Sequence, residues 1–199
     1  MTALVELTTD IAAPIDVVYD LARDLDLHAR SVTHTGERAI AGRTTGRIDA
    51  GETVTWRARH FGLWWMLTSR ITVADRPTRF ADEQVSGPFA WFRHEHRFKA
   101  LDDGGTRMLD RWEHRSPFRP IGTVVDRLVL GRYMRRLLQQ RNRVLRAEAE
   151  RAWHRCAGPE PAAHPAEARH AIVRRVDDRS AYKPLKQRAP RRASAKGAG

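Results

Sequence analysis

A single cysteine, Cys156, stands in 199 residues. It excludes an intramolecular disulfide and a metal site built from cysteines alone. No apolar run approaches the roughly 18 residues of a membrane-spanning helix; the most apolar stretch, Phe61 to Leu67, is far shorter. The opening Met1-Thr2-Ala3-Leu4 lacks the basic region and apolar block of a secretory signal, so a cytoplasmic protein is expected. There is no Gly-rich phosphate loop, no internal repeat and no recognisable Ser/His/Asp order. No cofactor is expected. What remains is a chain with 41% hydrophobic residues, enough for a real core, and a net charge of +12.

That charge is uneven. From His154 to Gly199 there are 11 Lys/Arg against 4 Asp/Glu, so +7 of the +12 sits in the last quarter. Pro159, Pro161, Pro165, Pro184 and Pro190 punctuate the same stretch, which has few large apolar residues. Such a composition cannot offset the entropy of ordering. We therefore expect a domain over residues 1–153 and a basic, disordered tail over 154–199. Tyr182 is the tail's only aromatic, and single-strand binding wants interleaved aromatics, so specific nucleic-acid recognition is not expected. Contact with an anionic membrane surface, through this tail and the arginine face of the last helix, is an alternative to a merely solvated surface, at about 1 kcal/mol per basic group close to the lipid.

Periodicity orders the domain. Val5, Leu7, Thr9 and Ile11 alternate as a strand over 3–11. Pro14 suits a first helical turn, and Ile15, Val18, Ala22 and Leu25 recur at helical spacing to about Asp24. A short helix is expected from Asp26 to Val32. Strands follow over 34–41 (weak), 52–60, 63–73 and 79–85, with Pro77 as a breaker. A long helix is expected from Gly122 to Trp153. Val124, Leu128, Met134, Leu138 and Leu145 mark its apolar face, and Arg127, Arg132, Arg135, Arg136, Arg143 and Arg146 its other face.

The chemistry concentrates between these elements. Trp91 to Phe98, the Asp102–Gly105 turn and Thr106 to His114 read as a hairpin. Alternation puts Phe92, His94, His96 and Phe98 on one face and groups Met108, Asp110, Trp112 and His114 on the return strand. If Ala100 faces Thr106, His96 falls opposite Asp110 and His94 opposite Trp112. A carboxylate beside an imidazole fixes its tautomer, so the set could be a ligand anchor, a general acid/base or a self-satisfied structural pair. A two-His, one-carboxylate iron site is not expected, because nothing marks a second shell. His28 and His34 lack an evident partner set. Trp56, Trp65, Leu67 and Phe80 would add to the cavity lining with Val124 and Leu128, whereas Trp64 and Met66 fall on the opposite strand face. Exposed, they would form an apolar patch.

Strand, two short helices, six strands and a long helix make an order in which a curved antiparallel sheet wraps one apolar-striped helix. With Ile11-Ala12-Ala13-Pro14, Arg79-Phe80, Gly87-Pro88-Phe89, His94-Glu95-His96-Arg97-Phe98, Gly105-Thr106-Arg107-Met108-Leu109-Asp110 and Ser116-Pro117, the chain over about 3–150 resembles the SRPBCC superfamily. That superfamily shares the helix-grip fold of START lipid-transfer domains, birch-pollen-type allergens and polyketide cyclases. The resemblance implies an α+β fold with a cavity between sheet and helix, and binding of a small hydrophobic molecule such as a lipid, polyketide or quinone-like compound. Its alternative is a cofactor-free polyketide cyclase/dehydrase in which His94 or His96, with Asp110, moves protons. A third reading is a peripheral membrane or polyanion-binding protein acting through the tail.

Overall fold

The computed structural model describes residues 2–116 and 130–157. The tail from 158 onward and the expected helix start at 122–129, with Val124 and Leu128, lie outside the described residues. Strand β1 (Ala3–Ile11) is followed by helices α1 (Ile15–Ala22) and α2 (Leu25–Ser31) and a short 3-10 turn (Thr33–Thr35). Six further strands follow: β2 (Arg38–Gly42), β3 (Thr53–His60), β4 (Leu63–Asp75), β5 (Arg79–Ser86), β6 (Trp91–Ala100) and β7 (Thr106–Arg115). The long helix, α3 here, spans Gly131–Ala157. It runs past Trp153, and Arg155 and Arg151 both reach Glu148 along its last turns.

Each local expectation has a visible cause. Pro14 sits at the cap of α1 with φ −60°. Asp24 caps α2, its Oδ1 accepting from the Leu27 N–H at 2.7 Å. The weak strand at 34–41 starts later than expected, because Thr35 Oγ1 donates to the Val32 carbonyl and closes a turn first. At the β6–β7 turn Gly104 adopts φ +82°, which glycine alone takes without strain, and Asp103 accepts from the Gly105 N–H at 2.9 Å.

The seven strands form one antiparallel sheet in the order β1-β7-β6-β5-β4-β3-β2. His96 pairs with Asp110, His94 with Trp112 and Ala100 with Thr106, the register expected from the sequence. Register shifts in β4–β5 and β2–β3 add local twist and bend the sheet. The bent sheet and α3 meet differently along their length. Toward the helix C-terminus Leu145 and Ala149 pack with Val18, Tyr19, Phe98 and Met108 into a closed core. Toward its N-terminus Leu138 and Met134 pack on Val5, Phe92 and Trp112, but helix and sheet stand apart over β3 and β4.

Candidate functional site

Between α3 and the sheet lies a cavity of about 580 Å³, within the size range of small-molecule sites. One side of α3 supplies Tyr133, Met134, Leu137, Leu138 and Arg141. These recur at helical spacing and run along about 12 Å of helix from Tyr133 to Arg141. The sheet supplies Val54, Trp56, Ala58, Trp65, Leu67, Ile71, Phe80, Phe92 and Trp112, inward by strand alternation. Phe61 and Trp65, at 60% and 39% exposure, mark its mouth.

Of the residues expected to line this space, Trp56, Trp65, Leu67, Phe80, Phe92, His94 and Trp112 do so. His96, Phe98, Met108 and Asp110 do not. They share the strand face but lie where it is already covered. Tyr19 packs edge-on against Phe98 and Phe80 at 5.6 and 6.0 Å, and Met108 is fully buried in the same core. The His96 ring stacks on Phe80 at 4.3 Å. The expectation of a single continuous lining is corrected by where α1 and the C-terminal half of α3 cover the sheet.

The two imidazoles therefore have different surroundings. Asp110 Oδ1 accepts from His94 Nε2 at 3.1 Å and lies 2.6 Å from His96 Nδ1. Asp110 Oδ2 accepts from the Asn142 amide. Burial alone would raise the Asp110 carboxyl, but the flanking His96 and His94 rings outweigh it and hold it well below the usual range. Burial, then the neighbouring His94, pushes His96 down to about 3, against the pull of Asp110. His96 is thus neutral near pH 7, with Arg141 donating to its Nε2 at 3.2 Å. Only His94 of this trio borders the cavity, its orientation fixed by Asp110.

The same trio is the one set of three or more acidic and imidazole groups among the described residues whose ligand atoms lie within 4.8 Å of one another. It fits a resident metal poorly. With Arg141 donating to Nε2, the His96 proton sits on Nδ1, the atom a metal would need.

A second polar group was not anticipated. His28, on α2, lies with Nε2 2.6 Å from Glu37 Oε1, and its ring packs on Trp56 at 4.5 Å. His60 Nδ1 lies 2.6 Å from the Tyr133 hydroxyl. Burial raises Glu37, but His28, His60 and Arg141 together bring it below the ordinary carboxylate value. Burial lowers His60 despite Glu37. His28, Glu37, His60, Tyr133 and Arg141 all border the cavity. The partner of His28 comes from the loop before β2, which no sequence period marks. Arg141 and Tyr133 had a signal, since they fall in helical phase with Leu137.

An antiparallel sheet gripping a long helix over an apolar, polar-anchored cavity defines the helix-grip class. Residues 2–150 match the family described as polyketide cyclase / dehydrase and lipid transport, and the chain belongs to that family. No curated protein matches significantly by sequence. Among solved structures, a protein of Thermus thermophilus is 20% identical and covers 74% of this chain and 99% of its own, with a TM-score of 0.59. The Zhui aromatase/cyclase of a Streptomyces species is also 20% identical, covering 79% and 99%, TM-score 0.57. A START superfamily protein from Mycobacterium smegmatis is 11% identical, covering 74% and 97%, TM-score 0.57. At these identities the likeness is one of fold.

Proposed function

We propose that this protein binds a small hydrophobic molecule in the cavity between the sheet and α3, as a carrier or sequestering protein. The observation that carries this is the open apolar space of about 580 Å³ inside an otherwise closely packed domain. Interiors normally close such voids, since unfilled apolar volume costs roughly 24 cal/mol per Å³. Trp56, Phe92 and Trp112 offer ring faces to a planar or elongated ligand, with His94, Arg141 and the His28–Glu37 pair as polar anchors. Native mass spectrometry of the purified protein tests it. A small molecule carried at one per chain and released by organic solvent supports the reading; a protein that takes up neither endogenous nor added apolar compounds opposes it.

A second reading, a cyclase/dehydrase-type enzyme, is favoured by one observation: His94 borders the cavity while Asp110 orients it. His94 then accepts a proton from bound substrate and returns it at another carbon. His96 is not the group that does this, being walled off by Phe80 and Phe98. His94→Gln separates the readings. An enzyme loses about 10²- to 10⁴-fold in turnover of a poly-β-ketone with binding retained; a carrier shows no turnover to lose.

A further inference from the structure

We infer that the tip of the β3–β4 hairpin docks the mouth of the cavity onto an anionic lipid bilayer. Phe61, Leu63, Trp64 and Met66 are each more than half exposed, at 60, 61, 55 and 62%. They gather at the tip of one hairpin, Trp64 and Met66 on one strand face and Leu63 on the other, and clustered exposure of this kind marks an interaction surface. The tip also keeps an aromatic where the backbone disfavours one. Phe61 has φ +52° and Gly62 φ +82°, a primed hairpin turn whose first position normally takes Asn, Asp or Gly. A bulky residue there is strained, and it makes no contribution to the closed core.

Charge selects the occupant. No acidic residue occurs between Glu52 and Asp75. Arg57 and Arg59 stand opposite Met66 and Trp64 in the hairpin register, the Arg57 guanidinium lying 4.3 Å over the Trp64 ring. Arg132, Arg135 and Arg136 are exposed on the first turns of α3, where Tyr133 packs 4.7 Å from Phe61. None of these five arginines is ion-paired to a described residue, although Arg79, Arg93, Arg97, Arg107 and Arg111 on the sheet are and Arg38, Arg70 and Arg115 are not. An apolar tip beside guanidinium groups that no carboxylate neutralises matches the acyl–headgroup boundary of an anionic bilayer, where tryptophan is favoured and each cation gains. A second copy would instead bring two such sets of cations together, at a repulsive cost. Because Phe61 and Trp65 also border the cavity, a docked tip brings its mouth against lipid, so a ligand exchanges without crossing water. That consequence rests on the proposed apolar-ligand function; the docking itself does not.

The test uses the full chain with phosphatidylcholine vesicles, with and without phosphatidylglycerol. It reads co-sedimentation, tryptophan quenching by brominated acyl chains, and uptake of neutral N-phenyl-naphthylamine in vesicle-free solution. Trp64 and Met66 do not line the cavity, so Trp64→Ser/Met66→Ser spares it. The wild type should bind anionic vesicles, prefer them to neutral ones and show quenching. The hairpin variant should bind about tenfold more weakly or worse, with probe uptake unchanged. Arg135→Ser/Arg136→Ser should weaken the anionic preference and leave the fold intact. Undiminished vesicle binding by the hairpin variant overturns the proposal and assigns the affinity to other basic segments. So does a concentration-dependent dimer that the variant abolishes. Quenching without any probe uptake supports docking and overturns the cavity reading alone.

Discussion

The two halves of the α3–sheet interface are built from the same elements and behave oppositely. In one half Leu145 and Ala149 pack with Val18, Tyr19, Phe98 and Met108 into a closed core. In the other, Leu138 still packs on Val5, Phe92 and Trp112, while Leu137 and Arg141 face Trp56 and His94 across an open cavity. The cause is α1. It fills the gap between helix and sheet at one end only, through Val17, Val18, Tyr19 and Ala22. Stability and binding are thereby separated along one helix. The fold is held by the closed half, and the open half carries the proposed ligand site.

The sharpest way to break that comparison is to truncate one aromatic in each half. Phe98→Ala should cost roughly 3 to 5 kcal/mol in denaturant unfolding, the usual price of deleting a buried ring. Trp65→Ala, at the mouth, should cost under about 1 kcal/mol while weakening probe uptake. Equal costs would mean that the two halves do not divide the work.

Asp110 sits on the border between the halves, and Asp110→Asn is expected next in size. It keeps the shape but disturbs hydrogen bonds from His94 and Asn142, and a buried group left poorly paired costs about 1 to 3 kcal/mol. Chemical unfolding measures it, and a neutral substitution would show that the trio is not held by the carboxylate.

The same border should appear in the pH dependence. His96 has its folded pKa lowered from 6.5 to about 3, so the unfolded chain binds the extra proton first. The stability this group contributes is full above pH 6.5 and is lost as pH falls toward 3, with a limiting slope of about 1.4 kcal/mol per pH unit. Asp110, also lowered, loses stability in the same direction at the acid end. In His96→Gln the slope between pH 6 and 4 should be shallower by about one proton. An unchanged slope would place His96 in contact with water.

Much of this was legible in the sequence. Alternation from Trp91 to Phe98 and from Thr106 to His114, with glycine at the turn, is enough to set the hairpin register and bring Asp110 to His96. The order of elements carries the fold. What alternation cannot tell is which part of a strand face another element covers, so Phe98, Met108, His96 and Asp110 read the same as Phe92 and His94. Nor does it reveal a pair closed by a loop. Glu37 reaches His28 only because the Thr33–Thr35 turn precedes β2.

That loop-closed pair gives the smallest expected effect. His28 and Glu37 border the cavity rather than the closed core. Glu37→Gln removes the charge and keeps the shape, and should change stability by about 1 kcal/mol or less while altering affinity for ligands with a polar end more than for apolar ones. Titration of matched ligands, with and without a terminal hydroxyl, reads the difference; equal changes for both would remove the pair from the site.

The most direct measurement fills the cavity and leaves the closed half untouched. Ala58 on β3 and Leu137 on α3 both face the open space, so Ala58→Trp/Leu137→Trp occupies it from both walls. Fluorescence titration with N-phenyl-naphthylamine, beside thermal unfolding, gives the answer. The wild type should take up one probe per chain, and the filled protein should bind at least about tenfold more weakly while melting no lower, since the added rings replace void rather than packed atoms. Undiminished uptake by a folded, filled protein would contradict the account, because the ligand would then be bound somewhere other than between α3 and the sheet.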